Sequence, residues 1–430
     1  MRAIFNKRTL SWAFYDWANS AYTTITITAF FPVLFGSYWF TGPGNENTTT
    51  PLGIANATAS LVVVILAPIL GAIADRGGLK KQFLLLFMLI GFLFVGGLAF
   101  VGEGNWQLAI IVYVLSFIGF AGANVFYDAM LVDVAEEEKF DLVSAVGFSL
   151  GYLGGGIALL GCIAYATPEK FGFEAVREPN DIVMVFLFVA VWWLIFSIPV
   201  MLNVKEKKNT EHIPISKAVT QGMKQLVHTF YEIKKLKVVF TFLLAYWLYI
   251  DGVDTIIAMA GDYGQRIGFD QGDLFMAFLM TQFIAFPAAI IYGKLGEKLG
   301  AKAALLIAIM IYIGVTIYAY FMDSVSDFYT LAIVVGLVMG GIQSLSRAFF
   351  ARIIPKHKAA EFFGFYNMIG KLAAVLGPLM MAVVSESTGD PRLSILSIVV
   401  LFVAGGFLLL KVDEEEGKRM AKELDKDNTA

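Results

Sequence analysis

Six polar side chains stand inside long apolar runs of a 430-residue chain in which only 16% of residues are charged. Asp16 and Asn19 are one helical turn apart and share a helix face, and Asp251 and Asp254 repeat that spacing. Arg347 and Lys371 are cations within later runs. A charge near the bilayer centre costs about 2.5–3.5 kcal/mol on insertion scales, so each needs a partner, a cavity or a role in moving solutes or protons. Lys371 lies ten residues beyond Glu361, roughly 15 Å along a helix and close to mid-membrane depth. Asp251 reaches a similar depth in the apolar run 238–260. A Lys371 pair with Asp251 or Asp254 is expected across a central cavity. Two readings stand: an ion pair that only holds helices together, or groups that meet the ammonium or carboxylate of a small solute.

Other chemistry finds little material. His212, His228 and His357 fall in polar segments and pair with no nucleophile, so no enzyme is expected. Gly154-Gly155-Gly156 lies within an apolar run, without a preceding strand or a following Lys-Ser or Lys-Thr, and is not a nucleotide loop. The single Cys162 and 3 His leave nothing for a redox or metal site, and no cofactor is expected. A formal charge of -3 excludes the basic excess of a nucleic-acid binder.

The elements that must hold these residues are transmembrane helices. With 58% hydrophobic residues, the chain shows twelve apolar stretches near the length needed to cross hydrocarbon, at 11–36, 55–74, 82–100, 106–130, 144–166, 182–203, 238–260, 273–293, 303–321, 328–350, 362–384 and 393–410. Of 32 Lys and Arg, 27 fall on one side if both termini are cytoplasmic, against four in the opposite loops and Lys371 inside a span. The polar segment 204–237 divides the chain into six-span halves, 1–203 and 238–410. Its later part, Ile215 to Leu236, reads as an amphipathic helix on the inner face. The charged end, 411–430, has almost nothing to bury and is expected to be a mobile tail.

The halves echo each other. A shift of 219 residues lays Asn124, Asp128 and Asp133 on Gln343, Arg347 and Arg352. Two parallel six-helix repeats are the arrangement of major facilitator transporters. Gly71-Ala-Ile-Ala-Asp75-Arg76-Gly77-Gly78-Leu79-Lys80-Lys81 resembles that superfamily's signature between helices two and three, with Leu79 where a basic residue is usual. Phe14-Tyr15-Asp16-Trp17-Ala18-Asn19-Ser20-Ala21-Tyr22 and Leu345-Ser346-Arg347-Ala348-Phe349-Phe350-Ala351-Arg352, followed by Glu361-Phe362-Phe363-Gly364, resemble the vacuole-effluxer branch, over about 9–410.

That resemblance implies an all-α integral membrane protein with twelve helices in two parallel pseudo-symmetric bundles, helices one, four, seven and ten lining a path. On it, Tyr15, Tyr22, Asn124, Tyr127, Tyr246, Gln282, Gln343, Tyr366 and Asn367 become candidate donors and acceptors beside Asp16, Asn19, Asp251, Asp254 and Lys371. Asp75, Arg76, Asp128, Asp133, Arg347 and Arg352 become a cytoplasmic gate of salt bridges, with Asp128 and Arg347 near helix ends where side chains snorkel to water. The implied function is secondary transport of a small, amino-acid-like solute by alternating access, with protons as a candidate coupling ion. A peptide, sugar, drug-like cation or lysolipid carrier, or a receptor or scaffold, stands as the alternative. A monomer in a bacterial inner membrane is expected.

Overall fold

In hydrocarbon an unpaired backbone N–H or C=O costs several kcal/mol, so apolar runs close their hydrogen bonds locally and become helices. The structure, a computed structural model, describes residues 6–41, 48–171, 177–206, 236–266, 271–373 and 376–427. Its elements are all helical, and eleven helices among the described residues are long and apolar enough to cross a membrane.

The run expected over 11–36 is helical too, in a different form. Helix α1 (Lys7–Ala21) passes without a gap into a π-helical stretch, Tyr22–Phe30, then Phe31–Leu34 and a second π stretch, Phe35–Trp39. Six consecutive β-branched residues, Thr23 to Thr28, crowd the preceding turn, and the Thr24 and Thr28 hydroxyls donate to the Ser20 and Thr23 carbonyls.

The longer remaining helices are α2 (Thr49–Gly77), α3 (Lys80–Leu98), α4 (Trp106–Ala129), α5 (Phe140–Ala166), α6 (Val185–Asn203), α7 (Lys237–Arg266), α8 (Gln271–Leu299), α9 (Ala301–Tyr320), α10 (Val325–Ile353), α11 (Ala359–Ala373), α12 (Leu376–Thr388), α13 (Val399–Leu410) and α14 (Glu414–Asp427). The span expected over 362–384 is carried by α11 and α12 together.

Early and late helices meet backbone to backbone. A Cβ added at Gly71 would lie 2.3 Å from the Ala360 carbonyl oxygen, and one at Gly364 would lie 2.7 Å from that of Ala67, so at each place a glycine of one helix lies against the backbone of the other. Gly293 of α8 leaves room for a side chain of α5, an added Cβ there lying 2.5 Å from the Ala145 Cβ. On α5 itself, Gly147, Gly151, Gly154 and Gly155 take the side chains of Asp16, Ser20, Trp17 and Thr24, a packing groove for the first helix.

The carboxyl end differs from expectation. Residues 414–427 form α14 instead of a mobile tail, because their few apolar groups share one face. Val412 and Ala421 are buried, and Met420 and Leu424 pack on the core. Lys302 donates to the carbonyls of Leu410 and Val412, and Lys422 approaches Glu137 at 3.7 Å. Asp425 accepts the backbone N–H groups of Lys356 and His357 and a 2.6 Å bond with His357 Nδ1. The amphipathic helix expected over Ile215 to Leu236 falls almost wholly outside the described residues.

Candidate functional site

A cavity of ≈ 660 Å³ lies between the early and late helices. Its walls include Asp16, Asn19, Asn124, Tyr127, Asp128, Asp254, Gln282, Gln343, Arg347 and Asn367, and its upper part reaches Val33, Phe275, Met322 and Phe328. It runs from Arg347 toward the face opposite the chain ends. Ser20, Thr23, Thr24, Thr28, Phe148, Tyr152, Thr281 and Thr316 also line it. Sequence reasoning passed over these because hydroxyls and aromatic rings are common within spans and carry no charge that must be explained.

Arg347 forms the floor. Only 2% exposed, it does not snorkel to water as expected, because acceptors from three helices surround it. Its Nε donates to Ser144 Oγ at 2.9 Å, Nη1 to Asp128 Oδ1 at 3.0 Å, and Nη2 to Asp16 Oδ2 at 3.3 Å and the Ser144 carbonyl at 3.0 Å. Trp12, Tyr127 and Phe148 rings lie 4.9, 5.3 and 4.3 Å from its central carbon. Tyr127 donates to Asp16 at 2.7 Å and Asn367 to Asp128 at 3.2 Å. Such planar, multidentate pairing is what a guanidinium supports and an ammonium does not. Ser144 gives no sequence signal, since one hydroxyl in an apolar helix is unremarkable.

Asn19 donates to Asn124 at 2.7 Å, and Tyr152 donates to Gln343 at 2.5 Å. Tyr22 shares a 2.8 Å bond with Ser116. Tyr15 is buried against Tyr127 rather than facing the cavity. Tyr366 stacks on Tyr246 with centroids 4.2 Å apart and likewise lies outside the lining.

The expected Lys371–Asp251 pair is absent. Asp251, with no exposed surface, accepts the N–H groups of Leu376 and Gly377 at 3.1 and 2.8 Å and the Thr255 hydroxyl at 3.2 Å. It caps the start of α12 from another helix, because those first N–H groups have no intrahelical acceptor. Lys371 is half-buried with its ammonium 4.9 Å from the Phe117 centroid. Among the described residues no carboxylate stands within ion-pair distance of it, though Asp254 lies within its electrostatic reach. One turn along α7 from Asp251, Asp254 faces the cavity instead.

On the side bearing the chain ends, charges close the molecule in layers. Asp75 accepts the N–H groups of Ala360 and Glu361 at 3.0 and 2.8 Å, capping α11 from the end of α2. Lys80 stands 3.4 Å from Asp75 and 3.2 Å from Asp133. Arg352 pairs with Asp141 and, at 3.4 Å, with Glu414 of α14. Arg76 sits half-buried in the last turn of α2. Glu206 accepts the N–H groups of Lys80 and Lys81, and burial pushes its carboxyl above the usual range despite those bonds. Asp133 and Arg352 therefore serve different pairs, joined to Lys80 and Asp141, which the repeat did not single out.

Residues 37–422 match the family described as "Vacuole effluxer Atg22 like". The chain belongs to that family. A Bacillus subtilis (strain 168) protein called an uncharacterized MFS-type transporter, YxiO, is 42% identical over 415 residues, covering 96% of each chain. Autophagy-related protein 22 of Yarrowia lipolytica is 26% identical, over 88% of this chain and 78% of that one. Among solved structures, the proton:xylose symporter XylE superposes with a TM-score of 0.70 at 14% identity, covering 96% of both chains. A bacterial homologue of the iron transporter ferroportin, in an outward-facing state, gives 0.64 at 11%, over 94% of this chain and 98% of that one. These two likenesses show the major facilitator fold. The Atg22-like chain is thus a multi-pass membrane protein of a secondary-transporter superfamily, not an enzyme.

Proposed function

We propose that this chain carries a small polar solute across the bacterial inner membrane by alternating access, as a monomer, with protons as coupling ion. Twelve spans form the halves 1–203 and 238–410, and both termini are cytoplasmic. The observation that carries this reading is the clamp of Arg347 on Asp16, Asp128 and Ser144 beneath a cavity that extends the other way. With the basic face inside, this is an outward-facing carrier closed by its cytoplasmic gate. The gate comprises Arg347 with Asp128, Asp75 and Asp133 around Lys80, Arg352 on Asp141, and Arg76 in the last turn of α2. The pathway comprises Asp16, Asn19, Asn124, Tyr127, Asp254, Gln282, Gln343 and Asn367.

An amino-acid-like solute is the narrower reading, and a peptide, sugar, drug-like cation or lysolipid is the broader alternative. Purified protein in liposomes, loaded with one candidate solute and given the labelled form outside, tests the carrier reading by counterflow at two pH values. Counterflow that follows an imposed pH gradient supports proton coupling. Absence of counterflow across all these solute classes sinks the carrier reading and leaves a receptor or scaffold.

A further inference from the structure

The charges that reach the cavity are few and unequal. Among its described lining residues they are the carboxylates of Asp16, Asp128 and Asp254 and the guanidinium of Arg347. A carboxylate-bearing solute needs a free cationic donor, and Arg347 is not one. Four of its five N–H groups already have protein acceptors, and aromatic rings cover its faces. No fork remains for bidentate capture of an anion. Lys371, the other cation at depth, is not part of the lining and sits over Phe117.

Asp254 is in the opposite situation. It faces the cavity, and no hydrogen bond or ion pair reaches its carboxylate from any described residue, Lys371 acting on it only through space, from beyond ion-pair distance. Asp251, three residues away, is spent on α12, and Asp16 and Asp128 on Arg347. The same walls carry Phe120, Phe148, Tyr152 and Phe278, whose ring faces favour cations and apolar groups alike. A cavity of ≈ 660 Å³ accommodates a drug-sized body, larger than a bare metal ion or a methylamine.

Resting on the carrier reading above, we propose that Asp254 is the docking carboxylate for an organic ammonium ion with an apolar body and no free carboxylate. The expected solute is therefore cationic rather than zwitterionic. The ammonium replaces the missing partner of Asp254, and the amide and hydroxyl groups of Gln282, Gln343 and Thr281 line the space around the rest of the solute.

The test measures binding of a matched panel to the purified full chain by thermal stabilisation and calorimetry. The panel comprises phenylalanine and leucine, their methyl esters, their N-acetyl derivatives, and phenethylamine. The esters and the amine are expected to bind at least about tenfold more tightly than the parent amino acids, which carry the extra negative charge. Asp254→Asn should remove that preference while keeping the melting temperature of the empty protein, and Asp254→Glu should restore part of it. Equal or tighter binding of the amino acids or N-acetyl derivatives overturns the proposal. So does failure of every amine to bind, or amine binding that Asp254→Asn leaves intact. Liposome counterflow separates this from the carrier reading. Amines that bind through Asp254 while no solute class shows counterflow would leave the site standing and sink the carrier, whereas flux of an N-acetyl anion would do the reverse.

Discussion

Arg347 and Asp16 lie 331 residues apart in the chain and meet at 3.3 Å in the floor of the cavity. Asp128 completes the pair on the other nitrogen, so one guanidinium from α10 ties together the first and fourth helices. Removing it strands two buried carboxylates. Arg347→Ala is therefore expected to lower stability by about 3–5 kcal/mol, read as a fall in melting temperature in detergent. Arg347→Lys should recover only part, because an ammonium cannot hold Asp16, Asp128 and Ser144 at once. A melting temperature unchanged in both variants would falsify the clamp.

The α2–α11 contact leaves no room for a methyl group at Gly71 or Gly364. Gly71→Ala should cost about 1–3 kcal/mol in the state closed on the basic face and so favour the state open there. Because Cys162 is the single cysteine and is buried, Cys162→Ala gives a background for reporter cysteines. A cysteine placed at Ser144 should label faster from the basic side when Gly71→Ala is added. Equal labelling rates would show that this contact does not hold the face shut.

Asp251 and Asp254 are separable by experiment although they are one turn apart. Asp251→Asn weakens the cap on α12 and should cost about 0.5–2 kcal/mol, with faster amide exchange at residues 376–380. Asp254→Asn should leave that exchange alone and change ligand binding only. If the two variants behave alike, the division between a capping acid and a cavity acid is wrong.

Docking of α14 should depend on pH through Asp425. Burial alone would raise this carboxyl, but the His357 side chain and the N–H groups of His357 and Lys356 outweigh it and hold it below its ordinary value. Its contribution is thus complete above an unfolded value of about 3.9 and is lost as pH falls through the lower folded one. Amide exchange across 414–427, corrected for intrinsic rates, should stay slow at pH 6 and quicken below about pH 4. Asp425→Asn should show the quickened exchange already at pH 6, and protection equal to the parent protein would count against the dock.

The chain itself determined the class of protein. Apolar runs long enough to span a bilayer admit only helices, the 58% hydrophobic composition marks a membrane protein, and the stretch from Gly71 to Lys81 resembles the facilitator signature. Sequence also marked most of the charges that matter, because a buried charge is costly wherever it falls. It could not say which charges meet. Depth along a helix made Lys371 and Asp251 look like partners, yet partner choice depends on helix rotation and on which backbone groups lack acceptors, and the unsatisfied N–H groups of Leu376 and Gly377 claim Asp251. Arg347 appeared to lie near enough to water to snorkel, and only the convergence of three other helices around it makes it the floor of the cavity. The tail looked too polar to pack, because a face with only a few apolar residues can be buried only when the rest of the fold presents Ile353, Val238 and Arg352 to it. Composition and periodicity are local properties and can be read from the chain; pairings between residues hundreds of positions apart exist only once the helices have packed.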